Sequence, residues 1–69
     1  MLNAKVIGSR IQRRKAELNI DNDTLCKEVG ISQSALSMYE NGKRVARDEI
    51  KPKLARCLRM TIEELFFAP

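Results

Sequence analysis

Catalysis by side chains needs a nucleophile beside a base, and this 69-residue chain has no histidine to act as one. Its two cysteines, Cys26 and Cys57, do not form a CxxC pair. Without histidine partners they give zinc no ligand set. Both fall on apolar helical faces, where free cysteine behaves as a small hydrophobe, so a disulfide is not expected. The adjacent carboxylates Asp48/Glu49 and Glu63/Glu64 read as helix starts favoured by the macrodipole rather than as paired catalytic acids. An enzyme, a metal and a cofactor are therefore not expected. Basic side chains remain, together with the short polar groups Gln33, Ser34 and Ser37, whose chemistry is hydrogen bonding and anion contact.

The basic residues are unevenly placed. The net charge is +4, with +4 over residues 1–20, −3 over 21–40, +5 over 41–60 and −2 over 61–69. Two basic blocks flanking an acidic one suit a polyanion if folding brings them to one face. Solvated helix surfaces would account for the charge equally well.

One domain covering residues 1–69 is expected, with its small core built from a few tightly packed helices. No apolar run approaches the roughly 20 residues needed to span a bilayer. Charge interrupts the N-terminal segment too soon for a signal peptide, so a cytoplasmic location without membrane contact is expected.

Apolar spacing through Val6, Ile7, Ile11 and Leu18 predicts an amphipathic first helix over about 4–18. Asp21 is a good N-cap for a second helix over about 22–29, with Leu25 and Val29 inward and Gly30 ending it. Ser32 caps a third helix over about 33–40, whose inner face is Leu36 and Tyr39, and Asn41-Gly42 stops it. After the basic loop Lys43 to Arg47, a fourth helix is predicted over about 48–58, with Pro52 making its start short, irregular or kinked. Thr61-Ile62-Glu63-Glu64 fits a capping box opening a fifth helix over about 62–67.

Two helices joined by a short glycine-containing turn define a helix-turn-helix, and residues 22–41 fit it at several points. Leu25, Val29, Ile31, Leu36 and Tyr39 occupy its apolar positions. Cys26 supplies a small residue where the two helices cross, and Gly30 supplies the turn.

With these residues in register, the chain resembles the Cro and phage-repressor family, the xenobiotic-response-element type of helix-turn-helix. The resemblance rests on Ile7-Gly8-x-Arg10-Ile11, Leu25-Cys26-x-x-Val29-Gly30-Ile31-Ser32-Gln33, Tyr39-Glu40-Asn41-Gly42-Lys43-Arg44, Leu54-Ala55-x-x-Leu58 and Thr61-x-x-Glu64-Leu65-Phe66. It covers about residues 5–67. Departures are Asn22 where the family commonly has Gln, Lys15 for Arg, Cys26 for Ala, Ala46 for Pro, and the unusual Pro52.

The resemblance implies an all-α, five-helix, lambda-repressor-like domain. Such a domain binds a double-stranded operator through its third helix, usually as a homodimer. It implies transcriptional regulation, most often repression. Gln33 at the start of that helix would pair with a base edge, while Ser34, Ser37 and Met38 would share its outward face. Asn22, Asn41, Lys43, Arg44 and Arg47 would contact phosphates. The resemblance also implies an internal ion pair between Lys15 and Glu40. Phe66 fits the core pattern and Phe67 is left over from it; either covering the core or a two-fold contact would use such terminal aromatics, and Phe66 and Phe67 are the candidate dimer contacts. Two further roles fit the same domain: the DNA-binding half of an antitoxin, with a toxin or antirepressor as protein partner, and an interaction module without DNA binding.

Overall fold

The computed structural model describes all residues, 1–69, and contains five helical segments and no strand. They are α1 (Ala4–Glu17), α2 (Asn22–Val29), α3 (Gln33–Glu40), α4 (Lys51–Cys57) and α5 (Glu63–Phe67). No helix is long and apolar enough to cross a membrane.

The helix starts follow the capping residues in the sequence. Asn3, Asp21 and Ser32 each lie in extended backbone and accept a hydrogen bond three residues ahead, from the N–H of Val6, Thr24 and Ala35. In each case a side-chain oxygen satisfies one of the donors that a helix start leaves open. The Thr61–Glu64 capping box also forms. Thr61 N–H donates to Glu64 Oε1 at 2.8 Å, and Glu64 N–H donates to Thr61 Oγ1 at 3.0 Å.

The first four helices end alike. The N–H groups of Ile20, Ile31, Lys43 and Met60 each reach back five residues, to the carbonyls of Lys15, Cys26, Met38 and Ala55. The residue before each of them, Asn19, Gly30, Gly42 or Arg59, has positive φ. This is the Schellman closure. Ile20, Ile31 and Met60 then fold back against the core, so three of the four turns are also pinned by apolar contact.

Helix 4 starts later than its predicted beginning at residue 48. Ile50 and Lys51 donate to the Arg47 carbonyl through a turn, and regular helix begins at Lys51. Pro52 thereby falls in the first turn, where its missing N–H has no intrahelical partner to lose. The last element is also wound differently from an α-helix. The Ala68 N–H donates to the Glu63 carbonyl at 2.7 Å, a five-residue step that makes α5 a short π-helix.

Every helix contributes to one core. Ile7 and Ile11 come from α1, and Leu25, Cys26 and Val29 from α2. Leu36 and Tyr39 come from α3, Leu54 and Ala55 from α4, and Leu65 and Phe66 from α5. Val6, grouped with the apolar stripe of helix 1 in sequence, is instead exposed, one step round the helix from Ile7. Cys26 and Cys57 are free thiols. The Leu2 N–H donates to the Phe66 carbonyl at 2.8 Å, tying the N-terminal segment to α5.

Candidate nucleic-acid interface

Burial of Leu36 and Tyr39 fixes which side of α3 faces out. Gln33, Ser34, Ser37 and Met38 are all exposed, on one continuous face beginning at the helix N-terminus. The Ser32 cap holds that terminus, with its Oγ 3.0 Å from the Ala35 nitrogen. The face carries an amide, two hydroxyls and an apolar tip, and no charge. It can exchange hydrogen bonds with base edges and cover a methyl group.

Asn41, one turn beyond Ser37, donates from Nδ2 to Ser37 Oγ at 3.3 Å. That bond occupies one acceptor site on the hydroxyl and leaves its own O–H free to donate outward. Lys43, Arg44 and Arg47 follow in the exposed loop after α3. Arg44 and Arg47 line a shallow cleft of about 400 Å³ that also takes in Ile31, Ser32 and Ala35, so the loop runs back beside the turn. Arg47 pairs with Glu49 at 3.6 Å, and because both side chains are largely exposed the pair holds it only loosely.

One ion pair organises the ends of three helices. The Lys15 ammonium, from the last turn of α1, bonds both the Glu40 carboxylate at the end of α3 and the Asn22 Oδ1 at the start of α2. The side chains of Lys15 and Glu40 are only 16% and 14% exposed, so this pair is shielded as surface pairs are not. Two consequences follow for an anionic ligand. The carboxylate at the C-terminal end of α3 is neutralised internally, and Asn22 has its oxygen turned to Lys15, leaving the amide N–H groups to donate outward. The N-terminus of α2 is not an open anion cradle. Asp21 already takes the Thr24 N–H at 2.7 Å, and that bond holds its carboxyl below the usual carboxylate range.

The geometry adds residues that the sequence did not single out. Gln12 donates from Nε2 to the Glu40 carbonyl at 2.9 Å, capping the C-terminal end of α3 from α1. Gly8, one turn earlier on the same face, lies directly against that carbonyl, and a Cβ there would be 2.4 Å from it. The available signal was Gly8 itself. A glycine inside an amphipathic helix costs roughly 0.5–1 kcal/mol and marks a close approach.

Of the two aromatic residues expected at a dimer contact, Phe66 is fully buried in the core and has no surface to offer a partner. Its predecessor Leu65 is also buried, so α5 turns two consecutive residues inward. Phe67 alone remains outside, at 43% exposure.

The helix-turn-helix family model matches residues 11–65. Among curated proteins, the chain is 27% identical over 60 residues to an uncharacterized transcriptional regulator in the ATPase CF(0) region of Rhodospirillum rubrum. That match covers 87% of this chain and 56% of the relative, so the chain spans little more than half that relative's length. Among solved structures, it superposes with a TM-score of 0.83 at 30% identity on the P22 c2 repressor, crystallised with synthetic operator 9T in the presence of Tl+. The superposition covers 87% of this chain and 91% of the repressor chain. The shared five-helix arrangement and the match through both helices of the turn make this chain a member of the helix-turn-helix family, of the Cro and phage-repressor type.

Proposed function

We propose that the chain is a DNA-binding transcriptional regulator that reads the major groove of a double-stranded operator through α3, and that it acts as a repressor in a homodimer. The observation that carries this reading is the arrangement around α3. An uncharged, hydrogen-bonding face of Gln33, Ser34, Ser37 and Met38 is bordered by Asn22, Asn41, Lys43, Arg44 and Arg47, while Glu40 is neutralised by Lys15. Base edges ask for the first set and phosphates for the second. The likeness to a repressor crystallised in complex with a synthetic operator supports operator binding. Two-fold pairing is supported by Phe67, an exposed aromatic on the last element, because a symmetric dimer presents two recognition helices to half-sites about one helical turn apart.

The deciding experiment is selection from a random duplex pool, followed by titration of the enriched duplex at several salt concentrations. A palindromic motif is expected, with affinity falling as salt rises. Gln33→Ala is expected to cost about 1–3 kcal/mol and relax one position of the motif, whereas Lys43→Ala should weaken all duplexes alike and lower the salt slope by about 1. Sequence-blind binding that persists only at low salt would refute groove reading.

A further inference from the structure

Four of the chain's arginines gather at a place the α3 face does not use. Arg10, Arg13 and Arg14 on α1, with Arg59 after α4, line an open cleft of about 380 Å³ together with Glu17 and Glu64. Met60 is its one apolar lining residue, and no lysine enters it. Guanidinium is the planar, forked donor that matches a phosphate or carboxylate oxygen pair, which a lysine ammonium cannot reproduce.

The cleft is built rather than merely crowded. Arg10 Nη1 donates to the Glu64 carbonyl at 2.5 Å, and Arg14 Nε donates to the Leu58 carbonyl at 2.9 Å. Arg14 is thereby anchored on the carbonyl-rich end of α4 and Arg10 on a main-chain carbonyl of α5. The two carboxylates are already engaged. Glu17 pairs with Arg14 at 3.4 Å, and Glu64 closes its capping box with Thr61. Arg13 and Arg59 are exposed and form no side-chain hydrogen bond or ion pair within the chain. The lining carries four positive charges against two negative ones, Arg14 is the one guanidinium of the four in an ion pair, and Arg13 and Arg59 are the two with no side-chain partner of any kind.

Arg59 supplies an independent observation. Of the four residues that close helices with positive φ, three are Asn19, Gly30 and Gly42, types that accept this conformation cheaply. The fourth is Arg59, at φ 55°, so a strained backbone position on the cleft rim is given to a guanidinium.

The cleft also faces away from α3. Arg10, Arg13, Arg14 and Glu17 fall on one side of α1 by helical spacing. Gly8, Gln12 and Lys15, which touch α3 or its end, lie about 180° round the same helix at 3.6 residues per turn. A duplex held on α3 does not supply the phosphate for this site.

We propose that this cleft binds a small oxyanion carrying at least two negative charges, best matched by a phosphate group, as an effector site separate from the α3 face. Inorganic phosphate titrated into the full chain, at ionic strength held constant with chloride, tests it by nuclear magnetic resonance of the arginine Nε–Hε groups. Saturable shifts confined to Arg10, Arg13, Arg14 and Arg59 are expected. The double variant Arg13→Gln/Arg59→Gly should weaken binding at least tenfold. It keeps its fold because glycine accepts the positive φ, and Lys53→Gln, exposed on α4 outside the cleft, should bind phosphate as the parent does. Citrate at equal charge separates phosphate from carboxylate preference, phosphate being the tighter. Shifts that grow linearly across all basic side chains would mean an adventitious ion only and overturn the proposal. So would binding that survives in the double variant, or displacement of phosphate by excess duplex.

Discussion

Gly8 and Glu40 meet with no room for a side chain between them: a Cβ on Gly8 would lie 2.4 Å from the Glu40 carbonyl oxygen and 2.6 Å from that of Tyr39. The main chain of α1 thus rests directly on the C-terminal turn of α3, and the two helices are held at backbone distance there. In Gly8→Ala the overlap is expected to cost about 1–3 kcal/mol, partly offset by a gain of about 0.5–1 kcal/mol in helix propensity. Thermal melting should fall by several degrees, at about 4–8 °C per kcal/mol for a domain of this size. DNA affinity should fall further than stability accounts for, because α3 must shift. An unchanged melting temperature would mean that the α1–α3 contact opens without penalty.

The Lys15 node makes a second, separable prediction. Because both charged side chains are mostly shielded, a Lys15→Met/Glu40→Gln double-mutant cycle should give a coupling of about 1 kcal/mol, between the values for exposed and buried pairs. Lys15 also orients Asn22, so Lys15→Met should weaken DNA binding less in an Asn22→Ala background than in the parent. Additive effects on binding would detach Asn22 from the pair.

Acid should loosen the helix ends. The Thr24 backbone N–H and then its hydroxyl hold the Asp21 carboxyl low. The Lys51 hydrogen bond and its charge do so for Asp48, and the Thr61 backbone N–H followed by its hydroxyl for Glu64. A carboxyl depressed by folding stabilises the native state above its unfolded pKa and loses that contribution as pH falls through the folded one. Urea midpoints are therefore expected to be level near neutrality and to decline below about pH 4, where carboxyls titrate. In Asp48→Asn/Glu64→Gln the decline should be shallower. A midpoint that rises on acidification would contradict this assignment.

Cys57 should be inert in the folded protein. Burial pushes its thiol pKa up to about 12, reinforced by a hydrogen bond from Sγ to Glu28 Oε2 at 3.0 Å and by that carboxylate's charge. Only the thiolate is nucleophilic, so alkylation near neutral pH should run far slower than for a free cysteine. Glu28→Gln should accelerate it by tenfold or more, read by mass spectrometry of iodoacetamide adducts. Equal rates in parent and variant would show that Glu28 has no hold on the thiol.

Local chemistry set what could be read along the chain. Asp21, Ser32 and the Thr61–Glu64 box start helices because their side-chain oxygens satisfy donors within three residues, and Gly30 ends one because glycine pays no steric penalty at positive φ. The outward face of α3 was legible too: 3.6-residue spacing from Leu36 and Tyr39 assigns Ser34, Ser37 and Met38 away from the core, and Gln33 is exposed as the first residue after the Ser32 cap. Beyond the Lys15–Glu40 pair that the family resemblance implied, three matters required the tertiary structure, since packing or a turn outside the helix decides each. Phe66 fits the core pattern along the sequence, but that it keeps no surface for a partner, while Phe67 beside it stays outside, is decided by the packing of α5. Pro52 restricts a helix start without saying where the start will be, and the turn at Arg47 decides that it is Lys51. The Lys15–Asn22–Glu40 node and the Arg10–Arg13–Arg14–Arg59 cleft lie on opposite sides of α1. Periodicity divides basic residues between faces of a helix, but which face meets another helix end, and which is left open to an anion, is decided by packing alone.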